Sequence, residues 1–381
     1  KKGFCLTKLN NALNLQFSIH SYMLKALFKK RNTNKLSFFK VSLIGVSTIS
    51  VGVLSYSYYK QYQWEQSKTE LSQQHFVKYK INWRNFTDKD HFLLEVESIK
   101  PQKVNNWKEN GYKKLWSVEI KQPQIHVVRN YTPLPLKHVN SNENNEDDFS
   151  LKVIQNDPSD NGKLMFYIKK YDNGEVARWL SKLPIGHEIE LRGPYIDYEF
   201  PSSPENEIIL DTNFLNSKKS DKQINDKTKY KQFDINFFTG GTGIVTPLQL
   251  LLTQDPFKGK IQIIHACNNY KKELSPLLPL IDKLENHNRL KLHYFEDFRN
   301  ELKKGRKLNK IIEKPYPFVG FNQINDSDND DNKIKPIFSL VVGPDGFIEN
   351  VCGPKFELHQ GPITGFLGKK GWDNDNVFKL S

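Results

Sequence analysis

The hydrophobic pattern of this chain changes its period near residue 230. Between residues 81 and 212, short segments of alternating apolar and polar residues are separated by turns; the clearest are HFLLEVESI, LWSVEIKQ, HVVRNYTPL, LMFYIKKY and HEIELRG. With one short helix-like insert at 175–183, this succession is typical of an antiparallel barrel. Beyond residue 230, strand-like and helix-like segments alternate, which predicts a parallel α/β sheet. We expect an α+β chain with an antiparallel β-barrel domain over 81–215 and an α/β parallel-sheet domain over 230–381.

The N-terminal region has a different pattern. Residues 1–40 are basic and free of acids, with an amphipathic patch, which is typical of a mitochondrial presequence. Nineteen uncharged residues, VSLIGVSTISVGVLSYSYY, follow at 41–59, a length that predicts a transmembrane helix. A buried helix is the alternative interpretation, because Ser and Thr are frequent in this segment. The polar residues 60–80 then read as a stem between the membrane and the body.

The charge distribution narrows the classes of partner. The formal net charge is +13, but the first 64 residues hold ten Lys or Arg and no Asp or Glu. The rest of the chain therefore carries only about +3, which argues against nucleic acid as a partner of the folded part. The three cysteines are far apart and the ten histidines are scattered, so we expect no disulfide framework and no metal site.

The stretch FDINFFTGGTGIVTPLQLLLT runs from a strand pattern through glycines into a helix pattern. A strand, a glycine turn and a helix N-terminus form an anion site, because free N–H groups and the helix dipole converge there. The dinucleotide fingerprint is incomplete, since Thr246 stands where the third glycine belongs. By itself the stretch fits either a phosphate site or an ordinary tight turn.

Other segments carry chemistry of the same kind. In HVVRNYTPLPL, Arg129 and Tyr131 fall on one face of a strand and Thr132 on the other, and Pro133 ends the ladder. An Arg can bind a diphosphate, a Tyr can cover an aromatic ring and a hydroxyl can bond a ring nitrogen. Gly174 precedes a short helix, and Gly343 and Pro344 form a second junction between a strand and a helix.

In this order, the motifs resemble those of the ferredoxin-reductase-type flavoproteins, most closely cytochrome b5 reductase. They are Arg129-Asn-Tyr131-Thr132, Gly174-Glu-Val-Ala177, Arg192-Gly193-Pro194, Gly240-Gly241-Thr242-Gly243-Ile244 and Val342-Gly343-Pro344. The resemblance covers residues 80–381. It implies an FAD-dependent NAD(P)H oxidoreductase whose cofactors are FAD and NADH or NADPH, with the nucleotide lying in the crevice between two domains.

The resemblance also assigns roles to residues. It implies that Arg129 binds the FAD pyrophosphate, that Tyr131 lies at the ring and ribityl group, and that Thr132 lies at flavin N5 as the catalytic residue. The pyrophosphate would be capped by the helix start, Gly174, Glu175, Val176 and Ala177. The nicotinamide cofactor would lie against Gly240, Gly241, Thr242 and Gly243, with Gly343 and Pro344 beside its ring.

The chain departs from the family pattern at three places. Ala177 replaces the hydroxyl residue that bonds the pyrophosphate, unless Arg178 substitutes for it. Val342 replaces the cysteine near the hydride-transfer site, and Val245 shifts Thr246 and Pro247 by one position. These departures favour a weak or specialised reductase. No basic site for a 2′-phosphate is evident, because the nearby lysines 271 and 272 are expected to be solvated.

The presequence, the span, the stem and the reductase body together resemble the inner-membrane flavoproteins of cytochrome c maturation. This resemblance implies a single-pass protein of the mitochondrial inner membrane whose body faces the intermembrane space. The implied partners are cytochrome c haem lyase and apocytochrome c or haem, with electrons passing from NAD(P)H through FAD to haem. A general cytochrome b5-type NADH reductase and a non-catalytic, FAD-containing assembly factor are the two alternatives.

Overall fold

The computed structural model describes residues 54–61, 69–111, 113–140, 149–155, 157–201, 212–217, 233–317, 333–356 and 359–380. The expected presequence at 1–40 lies outside these residues, as does the expected span at 41–59 except for its last six residues. Residues 54–61 are helical. No helix within the described ranges combines the length and the apolar character that a membrane crossing needs. The sequence from Glu65 to Ser381 forms one compact unit.

The first half of this unit is an antiparallel sheet. Its six strands have the order β4-β3-β8-β1-β2-β7, and a separate hairpin pairs β5 with β6. The strands are β1 (Val77–Phe86), β2 (His91–Ser98), β3 (Lys114–Gln122), β4 (Val127–Tyr131), β5 (Leu136–Asn140), β6 (Phe149–Val153), β7 (Lys163–Lys169) and β8 (Glu188–Glu199). In β1, Val77, Tyr79 and Ile81 are buried while Lys78 and Lys80 are exposed, which is the alternation of a strand with one face on a core.

The second half is a five-stranded parallel sheet with the order β11-β10-β9-β12-β13. Its strands are β9 (Asp234–Gly240), β10 (Ile261–Ala266), β11 (Leu290–Phe295), β12 (Pro336–Val342) and β13 (Val377–Lys379). Every residue of β9 is buried, as expected for a central parallel strand covered on both faces. From β9, the chain adds β10 and β11 on one side of the sheet and β12 and β13 on the other, so the strand order reverses between β9 and β12. Parallel sheets bind ligands at such a position.

Helices connect these strands. They are α1 (Asn106–Asn110), α2 (Glu175–Leu180), α3 (Asn213–Asn216), α4 (Val245–Leu252), α5 (Tyr270–Glu273), α6 (Leu278–Asn286), α7 (Phe298–Lys304), α8 (Arg306–Ile311), α9 (Asp345–Cys352) and α10 (Gly365–Lys369). Helix α7 shows why they begin and end where they do. The Asp297 side chain accepts the N–H of Asn300, and Gly305 ends the helix with a φ of 56°.

The change of period near residue 230 correctly predicted an antiparallel sheet followed by a parallel α/β sheet. The five quoted segments before residue 212 coincide with β2, β3, β4, β7 and β8, and the strand pattern FDINFFT before the glycine turn coincides with β9. Strand β1 begins at Val77, inside the segment that we expected to be a stem. The division into two domains stays a prediction, because most of the expected boundary at 216–229 lies outside the described residues.

Buried side-chain hydrogen bonds join the two halves of this unit, as two examples show. The Tyr167 hydroxyl of β7 donates to the carbonyl oxygen of Glu273 in α5 at 2.7 Å. Immediately after α4, the Thr253 hydroxyl donates to the carbonyl oxygen of Trp107 in α1 at 3.0 Å. Such bonds hold the sheets in one arrangement, since each buried polar group loses its partner if the halves separate.

Candidate functional site

Strands β9 and β12 bring the two glycine junctions into contact. The strands pair in parallel up to Thr239 opposite Val342, so Gly240 and Gly343 follow at neighbouring strand ends. A Cβ atom on Gly343 would lie only 3.2 Å from the Cα and N atoms of Gly240. The junctions that the sequence places a hundred residues apart therefore form one edge, at the point where the strand order reverses.

The glycines of this edge serve different purposes. A Cβ on Gly243 would lie 2.9 Å from the carbonyl oxygen of Val342, and one on Gly240 would lie 3.2 Å from Pro344 and Phe347. Close packing within the protein therefore requires these two glycines. Gly241 has a φ of 56°, and no atom lies within 4 Å of its Cβ position. Its backbone faces open space, so this is where a ligand can approach the turn.

The predicted flavin strand is β4, which pairs with β3 through Val118 opposite Tyr131. The Arg129 guanidinium is exposed and donates to the carbonyl oxygen of Val128 at 2.9 Å. The Tyr131 ring packs edge-on against Phe166, with ring centroids 6.2 Å apart, and burial raises the pKa of its hydroxyl. Thr132 follows the strand and is half-buried. Arg129 is thus accessible to an anion, whereas Tyr131 is anchored to the sheet.

Helix α2 packs against β3 and against β4, the predicted flavin strand. Gly174 precedes the helix, and no side chain caps its first turn. The backbone N–H groups of that turn therefore remain available to an anion. Val176 and Ala177 are buried among core residues, so only their backbone can contribute to a ligand site. Glu175 is exposed.

Arg178 lies on the exposed side of α2. Its guanidinium donates to the carbonyl oxygen of Asp172 at 2.7 Å, in the loop that leads into the helix. The positive charge thus points back toward the helix start. This is the position from which Arg178 could compensate for the hydroxyl that Ala177 lacks.

The Arg192-Gly193-Pro194 segment has a structural explanation within β8. The Arg192 Nε donates to the carboxylate of Glu119 on the neighbouring β3, and its guanidinium lies 4.7 Å from the ring centroid of Phe76. A Cβ on Gly193 would lie 3.1 Å from the carbonyl oxygen of Ser117. These residues thus stabilise the pairing of β8 with β3, the strand that also pairs with β4.

The titratable groups near the parallel sheet's edge are held neutral. Burial raises the pKa of the Cys267 thiol to about 12, and likewise that of Cys352. Burial lowers the pKa of His265 to about 4, and its Nδ1 lies 2.9 Å from the Thr239 hydroxyl. No thiolate or imidazolium is therefore expected at neutral pH. The described residues contain no group of acidic, histidine and cysteine side chains suited to a metal ion.

A small, mainly apolar cavity of about 210 Å³ lies along the same edge. Ala266 at the end of β10, Phe298 of α7 and Phe347 of α9 line it, together with Arg299. Sequence reasoning missed this cavity, because its residues come from three separate segments without a shared motif. The lysines at positions 271 and 272 are exposed, as expected.

Comparisons with known proteins find a family match and several relatives of this chain. Residues 150–200, which include α2 and all of β8, match the oxidoreductase FAD-binding domain family. The chain is 46% identical over 333 residues to the cytochrome c mitochondrial import factor CYC2 of Saccharomyces cerevisiae, covering 86% of this chain and 88% of that protein.

The chain belongs to the CYC2 family. It is also 26% identical over 238 residues to NADH-cytochrome b5 reductase 2 of Candida albicans, covering 59% of this chain and 64% of that protein. Among solved structures, the cytochrome b5 reductase domain of Ulva prolifera nitrate reductase matches with 14% identity and a TM-score of 0.45, covering 81% of this chain and 99% of that chain.

With its FAD-binding match and its reductase relatives, this CYC2-family chain is an FAD-dependent NAD(P)H oxidoreductase. FAD and a pyridine nucleotide are its cofactors. The relative with 46% identity is named for the mitochondrial import of cytochrome c. The expected family resemblance is thereby confirmed. The roles of the individual residues stay predictions.

Proposed function

We propose that this chain is a membrane-anchored mitochondrial flavoprotein that passes electrons from NAD(P)H through FAD to haem, for cytochrome c maturation in the intermembrane space. The observation that carries this proposal is the 46% identity over 86% of the chain to a protein named for mitochondrial cytochrome c import. The identity to the b5 reductases is lower and covers less of the chain, which favours the specialised role over a general reductase.

The residues of the flavin strand fit FAD. The exposed Arg129 guanidinium has one bond, to a neighbouring carbonyl, and can turn onto a pyrophosphate as a paired donor. The uncapped start of α2 beside β4 supplies backbone N–H groups for the same phosphates. Tyr131 and Thr132 would then lie along the ring system, with the ring of Tyr131 held in place by Phe166.

The edge between β9 and β12 fits the nicotinamide cofactor. Gly241 turns its backbone toward open space, while Gly243 is packed against Val342. Gly343 and Pro344 lie beside Gly240, so a nicotinamide ring at this edge would meet both junctions. The cavity lined by Phe298 and Phe347 lies farther along the edge and would take the adenosine end of the nucleotide.

The chain's side chains provide position rather than proton transfer. Bound FAD supplies the conversion between a two-electron donor and a one-electron acceptor. The neutral thiols of Cys267 and Cys352 and the neutral His265 are consistent with a site that needs no acid or base. Val342 occupies the position of the family cysteine and packs against Gly243, but its side chain has no thiol.

The location and the partners form the finer part of the proposal. The basic, acid-free segment 1–40, the uncharged segment 41–59 and the polar residues that follow support a single-pass protein of the inner membrane with its body in the intermembrane space. Its partners there would be cytochrome c haem lyase and apocytochrome c or haem. Protease protection in mitochondria before and after rupture of the outer membrane tests this placement; digestion in intact mitochondria would contradict it.

The electron acceptor can be tested directly. The purified chain is mixed anaerobically with NADH or NADPH and with ferric haem, cytochrome b5 or a quinone, and the reduction of each acceptor is followed by absorbance. Haem bound to an apocytochrome c peptide should be reduced fastest. Preference for cytochrome b5 or the quinone would favour a general reductase, and reduction of none of the acceptors by a folded, FAD-loaded chain would favour a non-catalytic assembly factor.

A further inference from the structure

The side chain of Gln249 in α4 bonds to the backbone of the antiparallel sheet. Its Nε2 atom donates to the carbonyl oxygens of Trp116 at 3.0 Å and Pro133 at 2.9 Å. Its Oε1 atom accepts the backbone N–H of Trp116 at 3.1 Å. Gln249 is 2% exposed, so these three bonds satisfy its amide in the interior.

The need for this amide follows from the register of β3 and β4. Val118 lies opposite Tyr131, so continuing the antiparallel ladder by two residues would place Trp116 opposite Pro133. Pro133 has no N–H group, and the Trp116 carbonyl would lack a donor at that position. The primary amide of Gln249 offers one acceptor and two donor hydrogens, and it supplies what the proline cannot.

The position of this bond relates it to the proposed reaction. Pro133 directly follows Thr132, the predicted flavin contact, and Gln249 lies in the helix that directly follows the glycine turn Gly240–Gly243. We propose that Gln249 is a positioning residue that sets the separation between the glycine turn and Thr132. This inference rests on the proposed function, since hydride transfer requires the reacting atoms to be held within a narrow distance.

The chain offers a matched control at the end of the same helix. Thr253, just beyond the C-terminal end of α4, also bonds across to the antiparallel sheet, but its acceptor is Trp107 in α1 rather than the end of β4. Thr253→Val removes a buried bond between the halves without touching Thr132 or Pro133. Gln249→Met and Gln249→Leu replace the amide by an apolar side chain of similar size and so remove all three hydrogen bonds.

Hydrogen exchange of the purified chain tests the bond itself without relying on activity. The Trp116 amide should exchange at least about tenfold faster in Gln249→Met than in the parent, because its acceptor is lost. In Thr253→Val its rate should stay within about twofold of the parent. Unchanged protection of Trp116 in both Gln249 variants would overturn the inference.

Kinetics of the FAD-loaded chain test the positioning role. With saturating NADH or NADPH, flavin reduction in Gln249→Met should be at least about tenfold slower than in the parent, whereas reduction by dithionite should be unchanged. Thr253→Val should reduce its flavin at the parental rate. If Gln249→Met and Gln249→Leu keep the parental rate, or if Thr253→Val loses as much, the inference fails and the proposed function stands. If the parent itself is not reduced by either nucleotide, both fail.

Discussion

A side-chain carbon on Gly243 would lie 2.9 Å from the carbonyl oxygen of Val342. This contact fixes the distance between the glycine turn after β9 and the junction after β12, and it involves the residue that replaces the family cysteine. It also means that the turn has a packing requirement of its own. The glycines of this turn therefore meet two different requirements. Gly243 allows close packing within the protein, and Gly241 leaves space for a ligand to approach the backbone.

The first prediction concerns this contact. Gly243→Ala should lower the free energy of unfolding by about 1–3 kcal/mol, because the strand carbonyl cannot move away without breaking the sheet. Gly346→Ala is the matched control, since its Cβ would meet no atom within 4 Å. Urea unfolding measures both variants. A Gly243→Ala variant as stable as Gly346→Ala would contradict the packing account.

The second prediction separates flavin binding from stability. Arg129 is exposed and, within the described part of the chain, its side chain bonds to a neighbouring carbonyl alone, so Arg129→Ala should change the free energy of unfolding of the FAD-free chain by less than about 0.5 kcal/mol. Loss of the phosphate contact that we propose for Arg129 should raise the Kd for FAD about tenfold or more. Flavin fluorescence titration measures this affinity, and Arg306→Ala, which removes another exposed arginine in α8, should leave it unchanged.

The third prediction assigns Arg192 to the fold rather than to the cofactor. The Arg192–Glu119 pair between β8 and β3 is partly buried, so Arg192→Ala should lower the free energy of unfolding by roughly 1–3 kcal/mol. The Lys78–Glu188 pair between β1 and β8 is largely exposed, and Lys78→Ala should cost less than about 1 kcal/mol. Equal losses of stability in urea unfolding would contradict this assignment.

The fourth prediction concerns pH. Burial raises the pKa of Asp197 to about 6, while the Ser117 hydroxyl, which donates to its carboxylate at 3.0 Å, and Lys355 oppose the rise. The folded chain therefore holds a proton that the unfolded chain releases near pH 4, so this group destabilises the fold as the pH rises from about 4 through 6. Asp197→Asn should be more stable than the parent above pH 7, by up to about 3 kcal/mol.

The difference between Asp197→Asn and the parent should disappear near pH 4, where both side chains are neutral. Thermal unfolding across pH 4–8 measures it. A variant that is less stable than the parent at pH 8 would show that the carboxylate is held in its charged form, against the expected direction. Asp157→Asn provides the opposite case, because its hydrogen bonds with Ser159 lower the pKa of its carboxyl group.

The sequence predicted those features that depend on local pattern. The alternating segments predicted β2, β3, β4, β7 and β8, and the helix pattern after the glycine turn coincides with α4. Strand β1 was missed because its polar, lysine-containing alternation resembles a solvated stem before its partners are known. Helices α7 and α8 and strand β13 were also missed, since their stability comes from packing against the parallel sheet rather than from a strong period of their own.

The same limit applies to the candidate site. The glycine junctions and the Arg129 strand have motifs, and a motif can be read without a structure. Gln249 has none: its only signal is a polar side chain within the apolar run TPLQLLL, which indicates a buried amide that must find partners. Its partners Trp116 and Pro133 are more than a hundred residues away, so only the packing of α4 on the antiparallel sheet identifies them.

The central claim is that this chain binds FAD and accepts electrons from a pyridine nucleotide. The most direct test is the visible spectrum of the purified chain under anaerobic conditions, before and after addition of NADH or NADPH. We expect a flavin absorption band that bleaches with at least one of the two nucleotides. A well-folded chain that stays colourless in excess FAD, or whose flavin band persists with both nucleotides, would contradict the account.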